Sequence, residues 1–353
     1  MARLAVYKYL AFMMLVVTAL VTVFTLAGLI GGYFAPAEGN TALAMLVYVL
    51  PLLVAANVVL IIYWVLRRKW IWGCMPVATL LLSLPYIGTF YRPDLLASKP
   101  EGKTTLTIAT YNVARFANEV SPFRSESILA EMRHQQVEIL CLQEFRNQSG
   151  DHSNIERYQQ YYPYKAVGQD DMVIFSRFPI LDSQTISFGQ GTNNSALWAE
   201  LNVRGRRLRV INVHLQTTGI NRSMRLAQKA SYQGQKVEGN RLLQLIYGNY
   251  TQGMAIRGEQ AKMVAAVRDE SKLPCILCGD FNDVPYSYVY RTLKGDMVDG
   301  FQECGTGYMH TFTGKKSVRI DYIFHDKQLK GQTYYKQNLS FSDHLPVYMK
   351  IGF

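Results

Sequence analysis

The chain has 353 residues, of which 49% are hydrophobic, and a formal net charge of +11 at pH 7. This average combines two different parts, because residues 1–91 are almost wholly apolar whereas the remainder has the mixed composition of a water-soluble domain. The contrast excludes a uniformly soluble protein. The part beyond the apolar region, about 260 residues, is long enough to bury one sizeable core.

Three apolar stretches are each long enough to cross a bilayer, which takes about 20 residues. They cover residues 9–30, 42–66 and 71–90, and none contains a charged side chain. The sequence therefore predicts a membrane domain of three transmembrane helices over residues 1–91. A buried helix of a soluble protein and a cleaved signal peptide are the alternatives, and three consecutive runs disfavour both.

Lysine and arginine in the short connections indicate the orientation of these spans. Arg3 and Lys8 precede the first span and residues 67–69 (Arg-Arg-Lys) separate the second from the third, whereas the loop 31–41 has neither residue type. Such clusters stay on the cytoplasmic side. We expect a multi-pass protein of the cell (inner) membrane, with a cytoplasmic N-terminus and everything after the third span extracytoplasmic, in the periplasm of a cell that has one.

Beyond the membrane domain, the charge of the chain is still positive. Five of the 37 basic and one of the 26 acidic side chains fall in residues 1–91, so the rest has a net charge of +7. Such a domain suits a polyanionic partner such as nucleic acid, anionic lipid or a phosphorylated metabolite. An ordinary solvated basic surface is the simpler alternative, and composition alone favours it.

The five cysteines predict no redox or zinc site. Cys275 and Cys278 have the C-x-x-C spacing, but they fall in a strand-like run. An odd offset along a strand points two side chains to opposite faces of the sheet. Three of the cysteines beyond the membrane domain lie in apolar runs, where cysteine is typically a small core residue.

The proline- and glycine-containing stretch 92–104 predicts a linker, and from Thr105 onward the pattern is one of strands separated by helices. Helical spacing is found at residues 127–134 and over most of 221–268. The predicted strands are 105–112, 137–142, 172–175, 196–203, 208–215, 275–278, 319–324 and 347–351.

Polar side chains that a core would not favour lie within or directly after these strands. Each alone has an ordinary explanation, since a glutamate at a strand end is usually a loop residue and a strand histidine is usually structural. Together they combine hard oxygen ligands suited to Mg²⁺ with groups suited to proton transfer and to binding a phosphate oxyanion. The set is Asn112, Gln143, Glu144, Asn212, His214, Asp280, Asn282, Asp321, Asp343 and His344.

Seven short motifs, taken together in their order along the chain, resemble those of the endonuclease/exonuclease/phosphatase (DNase I-like) superfamily. The resemblance covers about residues 105–352 and implies a catalytic domain over 105–353 with an α/β fold, a four-layer αββα sandwich. In that fold the active site lies at one end, where loops from both sheets meet. The motifs are TYNV (110–113), LQE (142–144), FSRFPI (175–180), NVHL (212–215), GDFND (279–283), RIDYIF (319–324) and SDHLPV (342–347).

The resemblance implies a metal site and Mg²⁺ as the cofactor, with Mn²⁺ an alternative that the sequence does not distinguish. Glu144 is implied as the main metal carboxylate, with Asn112 close by. Asp343 is assigned as a further metal residue. Mg²⁺ usually takes one or two protein carboxylates and keeps several waters, so a single glutamate at a strand end suits it.

The catalytic roles implied by the resemblance fall on five residues. Asp280 orients or deprotonates the attacking water, and Asn282 donates to the phosphate. His344 contacts the phosphate or moves a proton, and Asp321 is the suggested partner that orients its ring. His214 is assigned as the acid that protonates the leaving group.

Four residues are assigned as candidate substrate contacts: Asn212, Arg177, Arg222 and Arg225. Arg177 is also compatible with a purely structural role. The last two belong to the basic segment 216–257, which contains one acidic residue, Glu238. That segment could line a groove for a phosphodiester backbone or for lipid headgroups, or be an ordinary solvated helix pair.

These observations predict a membrane-anchored, Mg²⁺-dependent phosphoesterase that hydrolyses a phosphodiester or phosphomonoester by in-line attack of water. A nuclease-type phosphodiesterase is preferred. The alternatives are a lipid or headgroup phosphoesterase of the sphingomyelinase or inositol-phosphatase type, and a non-catalytic binding module on the same fold. The expected partners are the substrate and the lipid bilayer, with no obligate protein partner. Residues 104–353 alone are expected to form a soluble, active domain.

Overall fold

A computed structural model of the chain describes residues 2–38, 40–94, 105–118, 123–145, 153–169, 171–189, 192–217, 239–314 and 317–352. Short 3₁₀ turns cover Pro36–Glu38 and Ala114–Asn118. The α-helices are α1 (Ala2–Gly31), α2 (Thr41–Leu66), α3 (Trp70–Leu82), α4 (Leu84–Ile87), α5 (Phe123–His134), α6 (Ser153–Gln159), α7 (Gly239–Asp269), α8 (Tyr288–Lys294) and α9 (Gly300–Cys304).

The strands follow the N-terminal helices, and the remaining helices are interspersed among them. Most of them match the predicted strands to within about two residues, the usual uncertainty of element ends. They are β1 (Tyr91–Arg92), β2 (Thr105–Asn112), β3 (Ile139–Gln143), β4 (Tyr164–Val167), β5 (Val173–Ser176), β6 (Ile180–Ser187), β7 (Ser195–Val203), β8 (Arg206–His214), β9 (Cys275–Asp280), β10 (Val298–Asp299), β11 (Gly307–Tyr308), β12 (Asp321–His325), β13 (Lys330–Lys336) and β14 (Val347–Gly352).

Two of the N-terminal helices, α1 and α2, are long and apolar enough to cross a membrane. The prediction of a third helix long enough to cross the membrane is wrong. The predicted segment is divided into α3, which has 13 residues, and the four-residue α4, with Ser83 between them and a proline near the start of α4. Pro85 has no N–H to donate and so interrupts the helical hydrogen bonds. Thirteen helical residues span about 20 Å, less than the ~30 Å of a hydrocarbon core.

Polar side chains join α1 to α2 inside this apolar region. Asn57 donates to the Thr25 hydroxyl at 2.9 Å, and the Trp64 indole donates to the Thr18 hydroxyl at 3.0 Å. All four side chains are buried between the helices. Hydrogen bonds of this kind hold helices together where no water competes for them. The outward faces expose large apolar side chains such as Leu52, as helices in contact with lipid do.

The strands form two six-stranded mixed sheets packed face to face and a small two-stranded sheet of β1 and β11. The strand order is β13-β14-β2-β3-β5-β4 in the first sheet and β10-β12-β9-β8-β7-β6 in the second. One neighbouring pair in each sheet is parallel, β2–β3 and β8–β9. The predicted α/β sandwich of two mixed sheets is therefore confirmed.

Alternation along the strands builds the layers. Ile108 and Cys278 point into the core between the sheets. Their neighbours Ala109 and Leu277 point outward, the first toward α5 and α6 and the second toward α7 and α8. Successive strand side chains face opposite ways, so each sheet buries one face against the other sheet and one against helices. Cys275 and Cys278 accordingly lie in different clusters on opposite faces of their sheet, as expected.

The N-terminal helices pack against the sandwich. Arg291 donates to the Leu29 carbonyl at 2.9 Å, and its guanidinium lies 3.8 Å from the centre of the Tyr33 ring. Gly32 approaches the sandwich so closely that a Cβ there would lie 1.8 Å from the Tyr286 carbonyl oxygen, which only glycine permits. Tyr86 packs edge-on against the Tyr286 ring at 5.4 Å. The predicted division into 1–91, 92–104 and 105–353 stays a prediction, because most of the linker lies outside the described residues.

Candidate active site

Three predicted site residues stand side by side on the second sheet. In the register of the strands, His214 pairs with Asp280 across β8–β9, and Asp280 pairs with Asp321 across β9–β12. Residues directly opposite on neighbouring strands project from the same face. Gly279 lets β9 approach β8 at this point, because its φ is +133° and a Cβ would lie 2.0 Å from the Val213 carbonyl oxygen.

The first sheet contributes Asn112, the last residue of β2, and Glu144, which follows β3. The Asn112 amide donates to Asp280 Oδ2 at 3.1 Å and to Glu144 Oε1 at 3.3 Å. One carboxamide thus connects a carboxylate from each sheet. The predicted meeting of strand ends from both sheets is present in the structure.

His344 lies in the loop before β14 and is held by Asp321. Its Nδ1 is 3.1 Å from both Asp321 carboxylate oxygens, and its Nε2 is 3.6 Å from Asp280 Oδ2. Burial would lower the pKa of the imidazole, but the nearby Asp321 and Asp280 carboxylates outweigh it and raise the pKa to about 10. The ring therefore has a fixed orientation, with Nε2 toward the centre of the site.

His214 approaches the same centre from β8. Its Nε2 lies 3.8 Å from both Glu144 Oε1 and Asp280 Oδ2. Its Nδ1 is buried and has no hydrogen-bond partner among the described residues. A buried ring nitrogen without a partner is uncommon in a purely structural histidine.

Asn282 braces the Asp280 carboxylate in this structure. Its backbone N–H donates to Asp280 Oδ1 at 2.8 Å, and its amide donates to Asp280 Oδ2 at 3.2 Å and to the Leu215 carbonyl at 2.9 Å. Burial raises the pKa of Asp280, against the opposing effects of His344 and His214. The predicted donation from Asn282 to phosphate stays a prediction.

The donor set fits a divalent cation. The side chain of Glu144 is 32% exposed whereas that of Asp280 is 1% exposed, so Glu144 is the carboxylate that solvent and a hydrated ion can reach. Asp280, Asp321 and His344 offer ligand atoms within 4.8 Å of one another and could also hold an ion. Oxygen-rich clusters of this kind suit hard divalent cations.

Asp343, the other predicted metal residue, is exposed at the rim of the site. Its backbone carbonyl accepts hydrogen bonds from the backbone and the hydroxyl of Thr313, at 2.8 and 3.0 Å. These bonds fix the loop that places His344.

Two predicted substrate contacts are located elsewhere. Asn212 is fully buried between the sheets, where its amide donates at 3.0 Å to the carbonyls of Leu142 and Val173 and its oxygen accepts from Gln143. It joins the two sheets and has no donor left for a substrate. A strand-end position does not reveal which way an amide points, and the structure places this one in the core; a substrate contact by Asn212 stays a prediction.

The structure does not bring Arg177 to the site either. Arg177 follows β5, which is antiparallel to β3, so it lies beside Glu138 at the start of β3, the end remote from Glu144. Its guanidinium lies 5.2 Å from the centre of the Tyr161 ring. Arg222 and Arg225, the remaining predicted contacts, lie outside the described residues.

Arg115 is a site residue that the sequence did not single out. Its Nε lies 3.8 Å from Glu144 Oε2 and 3.7 Å from Asp171 Oδ2. It belongs to a run with positive φ from Ala114 to Ala117, which is rare for residues other than glycine. The only signal in the sequence was its position three residues after Asn112.

Helix α7 contacts the end of β8 through Arg257 and Gln260. Arg257 donates to the Gln216 carbonyl at 2.9 Å, and the Gln260 side chain accepts from the Gln216 N–H at 2.8 Å. Gln216 lies two residues after His214. These bonds hold the end of β8 against the helix.

The class of fold is defined by two facing mixed sheets with a cluster of carboxylates, carboxamides and histidines at one end. The chain belongs to the Endonuclease/Exonuclease/phosphatase family, whose model matches residues 109–344. Residues 10–90 match a second family model, a domain of unknown function, DUF8431.

A curated relative is the CCR4-Not complex 3′-5′-exoribonuclease subunit Ccr4 of Aspergillus niger, 29% identical over 213 residues. The match covers 48% of this chain, and the chain spans 31% of that relative's length. Two solved structures share the fold: a humanized D. rerio TDP2, with a TM-score of 0.51 and 16% identity, and the human Nocturnin catalytic domain, with a TM-score of 0.51 and 18% identity. They cover 71% and 74% of this chain and 100% of their own chains.

Proposed function

We propose that the chain is a membrane-anchored, Mg²⁺-dependent phosphoesterase that hydrolyses a phosphodiester by in-line attack of water. The observation that supports this most is the convergence of Asn112, Glu144, His214, Asp280 and His344 within hydrogen-bond or near-contact distance at one end of the sandwich. Every position that the family resemblance assigns to chemistry there has a competent side chain. A binding module on the same fold would not need this set.

Glu144 and Asn112 are the residues that would hold the metal, because Glu144 is the accessible carboxylate of the site. The metal, when bound, neutralises negative charge on the phosphate oxygens. Asp280 would take a proton from the attacking water, and its position is fixed by Asn112 and Asn282. Asp343 remains a candidate for the metal only if its carboxylate turns inward from the rim.

The two histidines would serve the phosphate and the leaving group. Asp321 orients His344 through Nδ1, which leaves Nε2 to donate to a phosphate oxygen. His214 lies on β8, beside Asp280 of β9, and would protonate the leaving oxygen. Both rings are buried, so water does not compete for their hydrogen bonds.

We infer a nuclease-type phosphodiester substrate first, in line with the exoribonuclease named among the relatives. A lipid or headgroup phosphoester is the second candidate, and one observation favours it: Asp283, three residues after Asp280, contacts Tyr48 of the apolar helix α2. The site therefore lies beside the N-terminal helices. In a membrane-anchored protein this position favours substrates presented at the lipid surface.

We expect EDTA to abolish hydrolysis and Mg²⁺ to restore it. The full-length protein in nanodiscs would be assayed with bis(p-nitrophenyl) phosphate, single-stranded DNA, RNA, sphingomyelin and a phosphorylated inositol. Metal-dependent turnover of one macromolecular or lipid substrate identifies the class. Steep loss of affinity with rising salt marks a nucleic acid. Failure to hydrolyse any of the five, the small diester included, would contradict the proposed function.

A further inference from the structure

A buried network joins the second apolar helix to the loop that follows Asp280. Tyr48, in α2, donates its hydroxyl hydrogen to Asp283 Oδ1 at 2.5 Å. Arg257, in α7, donates from Nε to Asp283 Oδ2 at 3.2 Å and from Nη2 to the Tyr48 hydroxyl oxygen at 3.3 Å. Both carboxylate oxygens of Asp283 are thus bound by side chains from two different helices.

The two charged members of the network are shielded from water, and Tyr48 is half-buried. Asp283 is 4% exposed and Arg257 is 0% exposed. The Tyr48 ring also packs edge-on against Tyr250 of α7, with ring centres 5.3 Å apart. A buried ion pair needs additional hydrogen bonds to satisfy its remaining polar atoms, and Tyr48 supplies one of them. Removing the Tyr48 hydroxyl leaves Asp283 Oδ1 with only the backbone N–H of Val284 as a described donor.

Asp283 in turn determines where the residues before it lie. It directly follows Asn282, whose φ of 50° is unfavourable for a residue with a side chain. Such a conformation persists only where the surroundings hold it. The Asp283 carbonyl accepts from the Tyr322 hydroxyl at 2.9 Å, next to Asp321. The segment from Asp280 to Asp283 is therefore fixed at both ends by hydrogen bonds, and Tyr48 donates one of them.

The helices that carry Tyr48 are themselves fixed against the sandwich. Val47 and Leu50 of α2 form one buried cluster with Tyr86, and Val284 and Tyr286 of the sandwich pack against it. Val284 follows Asp283 directly. The apolar contact and the polar network thus cover the same short segment, and α2 has a defined position relative to the site.

We propose that Tyr48 is a positioning residue for the reaction, acting through Asp283 to hold Asp280 and Asn282 in place. The N-terminal helices are then part of the catalytic unit and not only an anchor. The proposal rests on the proposed function, in which Asp280 receives the proton of the attacking water. It bears on the expectation that residues 104–353 alone form a soluble, active domain, because such a fragment would lack Tyr48.

The test uses full-length protein in nanodiscs, with Mg²⁺ and bis(p-nitrophenyl) phosphate as a soluble diester. Tyr48→Phe keeps the ring and removes only the hydroxyl, and we expect kcat to fall about ten-fold with KM unchanged. The matched control is Tyr63→Phe on the same helix, whose ring packs on Trp64 near the other end of α2. It should leave kcat unchanged. Assays run well below the thermal midpoint of every variant, so that all are fully folded.

A second readout separates positioning from a loss of folded protein. In an Asp280→Asn background, Tyr48→Phe should lower the residual rate no further, because residues acting through one group are non-additive. A smaller fraction of folded protein would instead lower the rate by the same factor in the wild-type and the Asp280→Asn backgrounds. The proposal is overturned if Tyr48→Phe retains kcat within about two-fold of the wild type. It is also overturned if Tyr48→Phe lowers kcat by the same factor in the wild-type and the Asp280→Asn backgrounds. Normal activity of Asp280→Asn, or no turnover by the wild type, would instead overturn the proposed function.

Discussion

Glu144 and Asp280 are carboxylates of one site with different surroundings. Glu144 is partly open to solvent and is contacted by Asn112 and Arg115. Asp280 is enclosed by Asn112, Asn282 and two histidines. Burial favours the protonated form of a carboxyl group and nearby positive charge opposes it, so the environment decides which acid binds an ion and which handles a proton.

We expect Glu144→Gln and Asp280→Asn each to lower kcat by about 10³-fold, with different responses to metal. Raising the Mg²⁺ concentration should restore part of the activity of Glu144→Gln, since the site keeps an oxygen ligand, but none of that of Asp280→Asn. The measurement is kcat as a function of Mg²⁺ concentration. Arg177→Ala is the control, because that side chain lies at the other end of the sheet, and it should keep wild-type kcat and KM. A near-normal rate for Asp280→Asn would remove it from the site.

At the scale of elements, the site depends on the register between strands and on the connection between the two sheets. The row formed by His214, Asp280 and Asp321 exists because β8, β9 and β12 are neighbours. Asn212, two residues before His214, hydrogen-bonds to carbonyls of β3 and β5 across the sandwich. It thereby sets the distance between the second sheet and the strand that ends at Glu144.

Replacing Asn212 by alanine should therefore affect stability first. The change removes the hydrogen bonds to the carbonyls of Leu142 and Val173 and the one from the Gln143 amide, which keeps Thr110 as an acceptor. Losing these bonds across the core costs about 2–4 kcal/mol of unfolding free energy. Thermal unfolding of the variant should move to lower temperature while KM stays at the wild-type value. A raised KM with unchanged thermal stability would show that Asn212 contacts substrate after all.

At the scale of the whole molecule, the end of α1 with the loop that follows it, and the segment after α4, both contact the sandwich. Arg291 binds Leu29 and Tyr33, and the backbone N–H of Met309 donates to the Phe90 carbonyl at 2.7 Å. The turn at Arg67, Arg68 and Lys69 lies at the other end of α2. This arrangement supports the proposal that the basic turn is cytoplasmic and the sandwich extracytoplasmic, since the two lie at opposite ends of the helices.

A fusion of alkaline phosphatase after Phe353 should be active in a bacterial host, because this reporter matures only outside the cytoplasm. The same reporter fused after Lys69, in a chain shortened there, should be inactive. Cytoplasmic fluorescent-protein fusions at both sites should give the reverse pattern. An inactive phosphatase after Phe353, with the full-length fusion present in the membrane, would reverse the proposed orientation.

Prediction from the sequence was accurate for elements whose residue pattern is compatible with only one kind of secondary structure. The pattern of residues 105–112 predicted a strand, whose Ile108 and Ala109 face opposite sides of the sheet, and the buried strands were found to within a few residues. The edge strands β6 and β13 were missed, since most of their side chains are partly or fully exposed and their pattern resembles a loop. The third span was overestimated because apolar composition does not register the interruption at Ser83 and Pro85.

The sequence by itself determined the apolar leader, the two-sheet family and which polar residues follow the strands, because these depend on local pattern and on residue type. Tertiary structure alone decided which of them meet. Asp280 and Glu144 share Asn112, whereas Asn212 and Arg177 point elsewhere, since side-chain direction depends on strand register and strand polarity. The bond between Tyr48 and Asp283 joins residues 235 positions apart, and no local pattern encodes a contact at that separation.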